Sequence, residues 1–518
     1  MFISKKIIFN KSKYIYKLSW INAIIKKIGA DKMQAFDNEL YVKIQSEHIL
    51  ERINNFDNKL YLEFGGKMFD DFHASRVLPG FMPDSKIQVF KKIKDQTEYV
   101  IVANANDIQS NKIRNDIGIT YESEVIRLIE LFKEIGIKDG SVVISQFDNQ
   151  PNANAFITRL TNMGHKVYRH YNIQDYPFNV EHVISDEGFG KNDYIETKKP
   201  LVVVTAPGPG SGKMATCLSQ LYHEYKRGIK AGYAKYETFP IWNIPLNHPV
   251  NLAYEAATAD LNDVNMIDPF HMEAYNKIAV NYNRDIEVFP VLKTMFEKIY
   301  GESPYQSPTD MGVNMAGYCI VNNDEAIKAS KDEIIRRYLD SIVKVKLGKF
   351  KPSSVDKITV IMKQLDIDVS SRKCVEAARI KSEQTNDHAF SLELSDGSII
   401  TGKNSRLLRA PSAAIINALK HLAKIDDRLL VLSPAVLDPI ISLKINKLGA
   451  HNPRLHVDEV LTILAMSATT NPVAQLVLDK LEDLKGCEGH STSILSYSDE
   501  HTLKKLFINV TTDPSPKK

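Results

Sequence analysis

The chain has 518 residues, 43% of them hydrophobic and 25% charged. That is ordinary globular usage, and it excludes a mainly disordered, collagen-like or disulfide-stapled chain. The net charge of +3 hides an asymmetry: residues 1–32 carry eight Lys against Asp31, a charge of +7, which leaves −4 for the remainder. The body is therefore mildly acidic and offers no nucleic-acid-binding field.

The four cysteines, Cys217, Cys319, Cys374 and Cys487, lie far apart without a C-x-x-C. They are expected to be reduced thiols of a cytoplasmic protein. Lysines interrupt the apolar residues of 1–32, so this segment has neither a signal-peptide core nor the length of a spanning helix. An upstream extension ahead of Met33, a targeting peptide and a surface-lying amphipathic helix all fit it, the last giving the chain its one membrane option. Elsewhere the longest apolar runs, such as Leu201–Val204, are strand-sized.

In chain order, residues 34–58 read as a helix and Lys59–Phe64 as a strand. Tyr99–Ala103 is a second strand. Glu122–Ile135 is an amphipathic helix stopped by Gly136. Ser141–Ser145, Lys166–Tyr171 and Leu201–Thr205 are strands, with helices over Ala153–Met163 and Lys213–Arg227. Strands alternating with helices predict a doubly wound parallel α/β sheet. From about His248 the pattern turns helical, with clear periods over Glu325–Val345 and Ser354–Gln364. Near Ala389 it changes again: Phe390–Leu394 and Ser398–Thr401 flank Asp396-Gly397, a hairpin signal. A helix (Ala413–Leu422), a strand (Leu429–Leu432), helices over 458–468 and 472–484, and short strands at Ile494–Leu495 and Ile508–Val510 follow. The expected organisation is a basic extension (1–32), an α/β domain (33–245), a mainly helical domain (246–386) and a smaller C-terminal α/β domain (387–514).

The sharpest motif is Leu201-Val-Val-Val-Thr-Ala-Pro-Gly-Pro-Gly-Ser-Gly-Lys213, which leads into a helix. A buried strand, a glycine-rich loop and a helix N-terminus together make an anion site, because exposed N–H groups and the helix dipole favour negative charge. Gly208, Gly210, Ser211, Gly212 and Lys213 would hold a phosphate, and Thr216 is a further candidate, although it points to another side of the helix. Against the G-x-x-x-x-G-K-[ST] pattern, Pro207 replaces the first Gly and Met214 the Mg²⁺-binding hydroxyl. Phosphate binding is therefore better supported than a full nucleotide hydrolysis cycle. The expected ligand is a nucleotide, with Mg²⁺, or another phosphorylated small molecule. The alternative is a tight strand–helix turn with an exposed lysine. Gly65-Gly66-Lys67 with Asp70 and Asp71, Gly188–Lys191 and Thr401–Asn404 are read first as ordinary turns.

Residues 237–285 are dense in polar side chains, including Glu237, Trp242, Asn281 and Tyr282. Asp260, Asp268 and His271 suit acid–base or metal chemistry, although Asp268 before Pro269 is also a good helix N-cap. Arg284, Asp285 and Asp310 are further candidates for completing a site. A zinc set of His456, Cys487 and His490 has no specific spacing. Neither H-E-x-x-H nor G-x-S-x-G occurs.

Long stretches of the chain resemble a known family. They are KLYLEFGGKMFDDFHASRVLPGF (59–81), TAPGPGSGKMATCLSQ (205–220), HPVNLAYEAATADLNDVNMIDPFH (248–271), VNYNRDIEVFPVL (280–292), SPTDMGVNMAGY (307–318) and LGAHNPRLHVDE (448–459). On these the sequence is similar to an uncharacterised family of bacterial proteins of about 500 residues with one long domain of unknown function. The resemblance covers residues 33 to about 514 and implies a cytoplasmic protein of α/β and helical parts, starting near Met33, with no established activity. The leading functional expectation is a binder of a phosphorylated small molecule, acting as a transferase or ligase. The alternatives are a non-catalytic sensor of such a ligand and a structural homo-oligomer, and a homo-oligomer is the expected assembly.

Overall fold

The computed structural model describes residues 34–66, 68, 71–114 and 118–516. The basic extension 1–32, Lys67 and Asp70 lie outside the described residues. The chain divides into two compact units, the first formed by residues up to 255 and 263–330, the second by 256–262 and 331–518.

In the first unit six strands form one parallel sheet: β1 (Leu60–Phe64), β2 (Thr97–Asn104), β3 (Gly140–Phe147), β4 (Lys166–Tyr171), β5 (Leu201–Thr205) and β6 (Gly232–Tyr236). Their spatial order is β4-β3-β2-β5-β1-β6, and every pairing is parallel. β1 and β5 are buried along their whole length, which explains their near-continuous apolar sequences. Besides the single turns Val180–Val183 and Pro308–Met311, the unit's helices include α1 (Asn38–Asn54), α2 (Phe72–Val77), α3 (Ser85–Lys92), α4 (Ala105–Gln109), α5 (Tyr121–Glu134), α6 (Pro151–Asn162), α7 (Lys213–Lys226), α8 (Pro249–Ala257), α9 (Pro269–Tyr275) and α10 (Asn283–Tyr300). An antiparallel ribbon, β7 (Asn265–Ile267) with β8 (Val280–Tyr282), interrupts the helical stretch.

Register shows that the sheet is covered on both faces. The Tyr61 hydroxyl of β1 donates to Glu224 of α7 at 2.6 Å, so α7 lies on the face of Tyr61 and Glu63. Tyr99 of β2 stacks on Phe132 of α5 at 4.5 Å and is in register with Val203. Val204, the next residue on β5, is in register with Glu63. Neighbouring residues of a strand point to opposite faces, so α5 and α7 cover opposite sides. This is the doubly wound α/β architecture expected from the sequence.

The strand order fixes where a ligand crevice falls. From β2 the chain moves outward to β3, whereas from β5 it moves the other way to β6, and β2 and β5 are neighbours. Adjacent strands whose connections leave in opposite directions open a crevice at their carboxyl ends.

The second unit carries α11 (Asn323–Lys346) from residue 331 on, α12 (Pro352–Gln364) and α13 (Lys373–Thr385), then a four-stranded sheet. Its strands are β9 (Ala389–Glu393), β10 (Ile399–Lys403), β11 (Glu488–Ser491) and β12 (Asn509–Thr512), ordered β10-β9-β11-β12. The hairpin of β9 and β10 turns at Asp396-Gly397, with Gly397 at φ +84°. Helices α14 (Ala410–Leu422), α15 (Pro434–Asn446), α16 (Val457–Ala468), α17 (Pro472–Leu478) and α18 (Tyr497–Lys505) complete the unit. Phe390, Leu392, Leu419, Val460, Leu464 and Leu484 are among its core residues. Gly402 is required where β10 meets α14, because a Cβ there would lie 2.2 Å from the Ala414 nitrogen.

Two expected strands are absent. Leu429–Leu432 is an irregular segment in which Leu429 and Leu430 are exposed, because Ser433-Pro434 opens α15 instead. Ile494–Leu495 is loop, and the strand next to β9 is Glu488–Ser491.

Candidate functional site

The loop after β5 lies at the switch-point crevice. Its carbonyls are turned inward and held. Ser211 Oγ donates to the Gly208 oxygen at 2.5 Å, Asn104 Nδ2 at the end of β2 to the Gly210 oxygen at 3.3 Å, and Ser145 Oγ near the end of β3 to the Ser211 oxygen at 2.6 Å. The Gly212 oxygen accepts from the Thr216 N–H at 2.9 Å. By contrast, the N–H groups of Gly210 through Ala215 donate to no partner among the described residues. Gly210 and Gly212 take φ of +74° and +88°, a left-handed conformation that costs other residues about 1–2 kcal/mol. A run of free N–H groups in such a turn has the geometry to receive an anion.

Gly212 is the N-cap of α7 and supplies no capping side chain, and the first turn contains no acid. The dipole of a 14-residue helix is therefore open at the loop. Lys213 is half-buried and its ammonium makes no hydrogen bond or ion pair among the described residues. Gly208 lies against Tyr121, whose hydroxyl would be 2.2 Å from a Cβ at that position. Thr216 is buried with its hydroxyl unpartnered among the described residues. Pro207 is buried, Pro209 exposed, and Met214 stands half-buried where a metal-binding hydroxyl would be.

Comparison with known proteins places this loop in a family. Residues 34–366 match "Domain of unknown function DUF1846, N-terminal" and residues 370–518 its C-terminal counterpart. The chain belongs to the DUF1846 family. It is 56% identical over 483 residues to the UPF0371 protein of Streptococcus pneumoniae serotype 19F (strain G54), covering 93% of this chain and 98% of that protein. The UPF0371 proteins of Streptococcus thermophilus (strain ATCC BAA-491 / LMD-9) and Streptococcus pyogenes serotype M28 (strain MGAS6180) match to the same extent.

In this DUF1846 member a second set of charged groups sits at the same edge of the sheet. Lys235 of β6 is in register with Glu63 of β1. Its Nζ lies 2.7 Å from both carboxylate oxygens of Asp285 and 3.5 Å from Glu237 Oε2, and it donates to the Tyr282 hydroxyl. Tyr282 in turn donates to Glu237 Oε2 at 2.9 Å, and the Tyr233 hydroxyl to Glu63 Oε2 at 2.6 Å. Burial works to lower the Lys235 pKa, but the attraction of Asp285, Glu237 and Glu63 outweighs it and raises it. Burial raises the Glu237 pKa, Lys235 opposing and Asp285 reinforcing. Gly65 leaves room for Glu237, whose side chain would be 2.4 Å from a Cβ there. Glu63 and Lys235 were missed in the sequence. The available signal was a single charge inside each of two otherwise uncharged strands, a costly placement without a partner.

The other candidates fall into separate groups. Asp268 is fully buried. Its Oδ1 caps α9 by accepting from the Phe270 and His271 N–H groups at 3.0 and 3.1 Å. Its Oδ2 accepts from the Thr309 N–H at 3.2 Å and hydroxyl at 2.6 Å. His271 Nδ1 is 3.0 Å from Ser307 Oγ and 3.7 Å from Asp310 Oδ1. Asp310 forms a capping box with Ser307 and accepts from the Tyr275 hydroxyl at 2.8 Å. Arg284 pairs with Asp263 at 2.7 Å and lies 5.2 Å from the Tyr282 ring centroid. Asp260 is exposed in the turn after α8, within residues 256–262 of the second unit.

The C-terminal zinc set is not assembled. His456 Nδ1 lies 2.9 Å from Asp499 Oδ2, whereas His490 faces Thr511 at 2.9 Å and Asp513 at 3.5 Å. Among the described residues no group of three or more His, Cys, Asp or Glu could hold a metal ion, and no helix is long and apolar enough to cross a membrane.

Proposed function

We propose that the protein binds the phosphate group of a small phosphorylated molecule at Gly208–Lys213. The observation that carries this is the division of the loop's polar groups: the Gly208, Gly210 and Ser211 carbonyls accept from Ser211, Asn104 and Ser145, while among the described residues the N–H groups of Gly210–Ala215 remain free and the Lys213 ammonium has no partner. The N–H groups of Lys213–Ala215 are open as at any helix start; the free N–H groups of Gly210 and Ser211 ahead of it extend that run into the loop. The position at a switch point of a parallel sheet supports the same reading, and Met214 favours binding that needs no loop hydroxyl on Mg²⁺.

The remainder of the ligand has polar groups within reach. β5 and β6 flank β1, so Glu237 and Lys235 emerge two strand spacings from the loop, about 10 Å away. A group with a raised pKa at that distance suits proton transfer in a transferase or ligase reaction.

The test is a thermal-shift series on the full chain with inorganic phosphate, sugar phosphates and nucleotides, with and without Mg²⁺, beside Lys213→Ala. A ligand at 100 times its dissociation constant stabilises by about 2.7 kcal/mol. A shift that disappears in Lys213→Ala is expected. No shift with any phosphate compound, or one unchanged in Lys213→Ala, refutes phosphate binding at this loop. Binding without turnover of the bound compound would select the sensor alternative.

A further inference from the structure

The amide side chains at the carboxyl ends of β2 and β3 form one network, and backbone groups fix its orientation. Asn104 Oδ1 accepts from the Asn106 N–H at 2.8 Å. Its Nδ2 therefore faces the Gly210 oxygen at 3.3 Å and Gln146 Oε1 at 3.1 Å. Gln150 Oε1 accepts from the Asp148 N–H at 2.8 Å, and its Nε2 donates to the Gln146 carbonyl and to Asn106 Oδ1, both at 3.0 Å. Asn106 Nδ2 is left to donate to Gln146 Oε1 at 3.2 Å. Partners of this kind are what distinguish an amide oxygen from its nitrogen. Gln146 Oε1 thus takes two donors, while Gln146 Nε2, with two N–H groups to give, has no partner among the described residues.

Gln146 is presented in a backbone conformation that its residue type rarely adopts. Its φ is +49°, a region entered mainly by Gly, Asn and Asp. Among the described residues only Lys424 and Phe507 share that exception, and each lies just beyond a helix end, whereas Gln146 lies within β3. The pairing of β3 with β4 breaks around it, between Ile144 and Phe147, and Gln146 is exposed. Such strain persists where neighbours over-determine it, and it collects at ligand sites. Two separate links tie this strand end to the anion loop. Ser145, the preceding residue, holds the Ser211 oxygen at 2.6 Å, and Asn104 joins Gln146 to Gly210. The free amide is therefore two hydrogen bonds from the loop.

We propose that Gln146 is a ligand-binding residue that donates to a hydroxyl oxygen on the body of the bound phosphate ester, so that the ligand is a polyol or sugar monophosphate. This rests on the reading that the phosphate itself binds at Gly208–Lys213. The four amide side chains are neutral, so the network offers no cation to a second phosphate or a carboxylate. Asp148, in the turn that follows Gln146, adds a negative charge that disfavours either. A hydroxyl oxygen accepts from an amide N–H without any charge to compensate.

The test is isothermal titration of the full chain with glycerol 3-phosphate, ribose 5-phosphate, methyl phosphate and inorganic phosphate. Both polyol phosphates are expected to bind more tightly than methyl phosphate, which has no hydroxyl. Gln146→Gly is expected to weaken both about three- to tenfold, the effect of losing one neutral hydrogen bond, and to leave methyl phosphate unchanged. A φ of +49° suits glycine, so this variant should not lower the urea midpoint of the free protein, and its lost affinity reports on the ligand contact. The proposal is overturned if methyl phosphate binds as tightly as the polyol phosphates or if Gln146→Gly binds them unchanged. It is also overturned if the variant loses methyl phosphate equally, which would place the action of Gln146 on the loop through Asn104. In each of these cases phosphate binding at Gly208–Lys213 stands. If none of the four compounds binds the unaltered chain, that reading fails and this inference with it. The comparison with methyl phosphate needs no variant, so it decides even where a substitution disturbs folding.

Discussion

Replacing Lys235 by Met removes one charge from the most heavily paired group at the carboxyl edge of the main sheet, while keeping most of its length and its methylenes. The lost ammonium lies 2.7 Å from both oxygens of Asp285. The side chains of Lys235 and Asp285 are 14% and 15% exposed, so water screens the pair weakly. Removing one partner of a buried pair costs about 3–5 kcal/mol, and the residual exposure places this case near 3 kcal/mol.

The loss has a predictable pH dependence. Burial raises the Glu237 pKa and Lys235 opposes that rise, so without Lys235 the Glu237 carboxyl in the folded state stands further above its unfolded value of about 4. Groups with raised folded pKa values take up protons on folding, so the variant gains stability as pH falls. The deficit is therefore largest at pH 8 and shrinks toward pH 5. Urea unfolding followed by Trp242 fluorescence, in a Trp20→Phe background, reports on the first unit. A loss below about 1 kcal/mol would mean that the pair behaves like a surface ion pair. An equal loss at both pH values would mean that the carboxylates are not the groups left unpaired.

Three further outcomes follow from the same geometry. Gly212→Ala forces a Cβ at φ +88° and 3.3 Å from Ser145; it should cost about 1–2 kcal/mol in urea unfolding and also weaken phosphate binding, whereas Gly228→Ala, at φ +82° beyond the far end of α7, should affect stability alone. Asp268→Ala removes the cap of α9 and strands the Thr309 N–H and hydroxyl, for a loss of about 2–4 kcal/mol by the same assay. Burial acts to raise the Asp499 pKa, but hydrogen bonds from His456 and Ser496 and from the Val457 N–H outweigh it and lower it. Its contribution is thus present above the unfolded value of about 3.9 and is lost as pH falls through the folded value. Asp499→Asn should flatten the acid limb of the second unit's unfolding curve below about pH 4, read by far-UV circular dichroism.

Local sequence signals were enough where each residue's environment is set by its neighbours in the chain. β5 and the start of α7 fall on the residues expected, because an unbroken apolar run, a glycine-rich loop and a 3.6-residue period need no distant partner to be recognised. The hairpin at Asp396-Gly397 was legible for the same reason. The failures share a cause as well. Leu429–Leu432 is apolar and short, and such a run is not distinguishable from an exposed connection by pattern. β11, Glu-Gly-His-Ser, has no strand pattern and is a strand because β9 and β12 pair with it, with Gly489 where a Cβ would lie 3.1 Å from Phe390 Cζ.

The candidate site divides in the same way. The sequence by itself determined the α/β class, the family and the strand–loop–helix arrangement around Gly208–Lys213, because an apolar run, a glycine-rich turn and a helical period are local signals. It did not determine that this loop would open at the crevice between β2 and β5, which depends on strand order. Nor did it pair Lys235 with Asp285, 50 residues apart, or show that Asp268 and Asp310 hold α9 and the 308–311 turn in place. Those outcomes belong to the tertiary structure, since a buried charge takes whichever partner the packed sheet and helices bring within about 3 Å, and desolvation forbids leaving it without one.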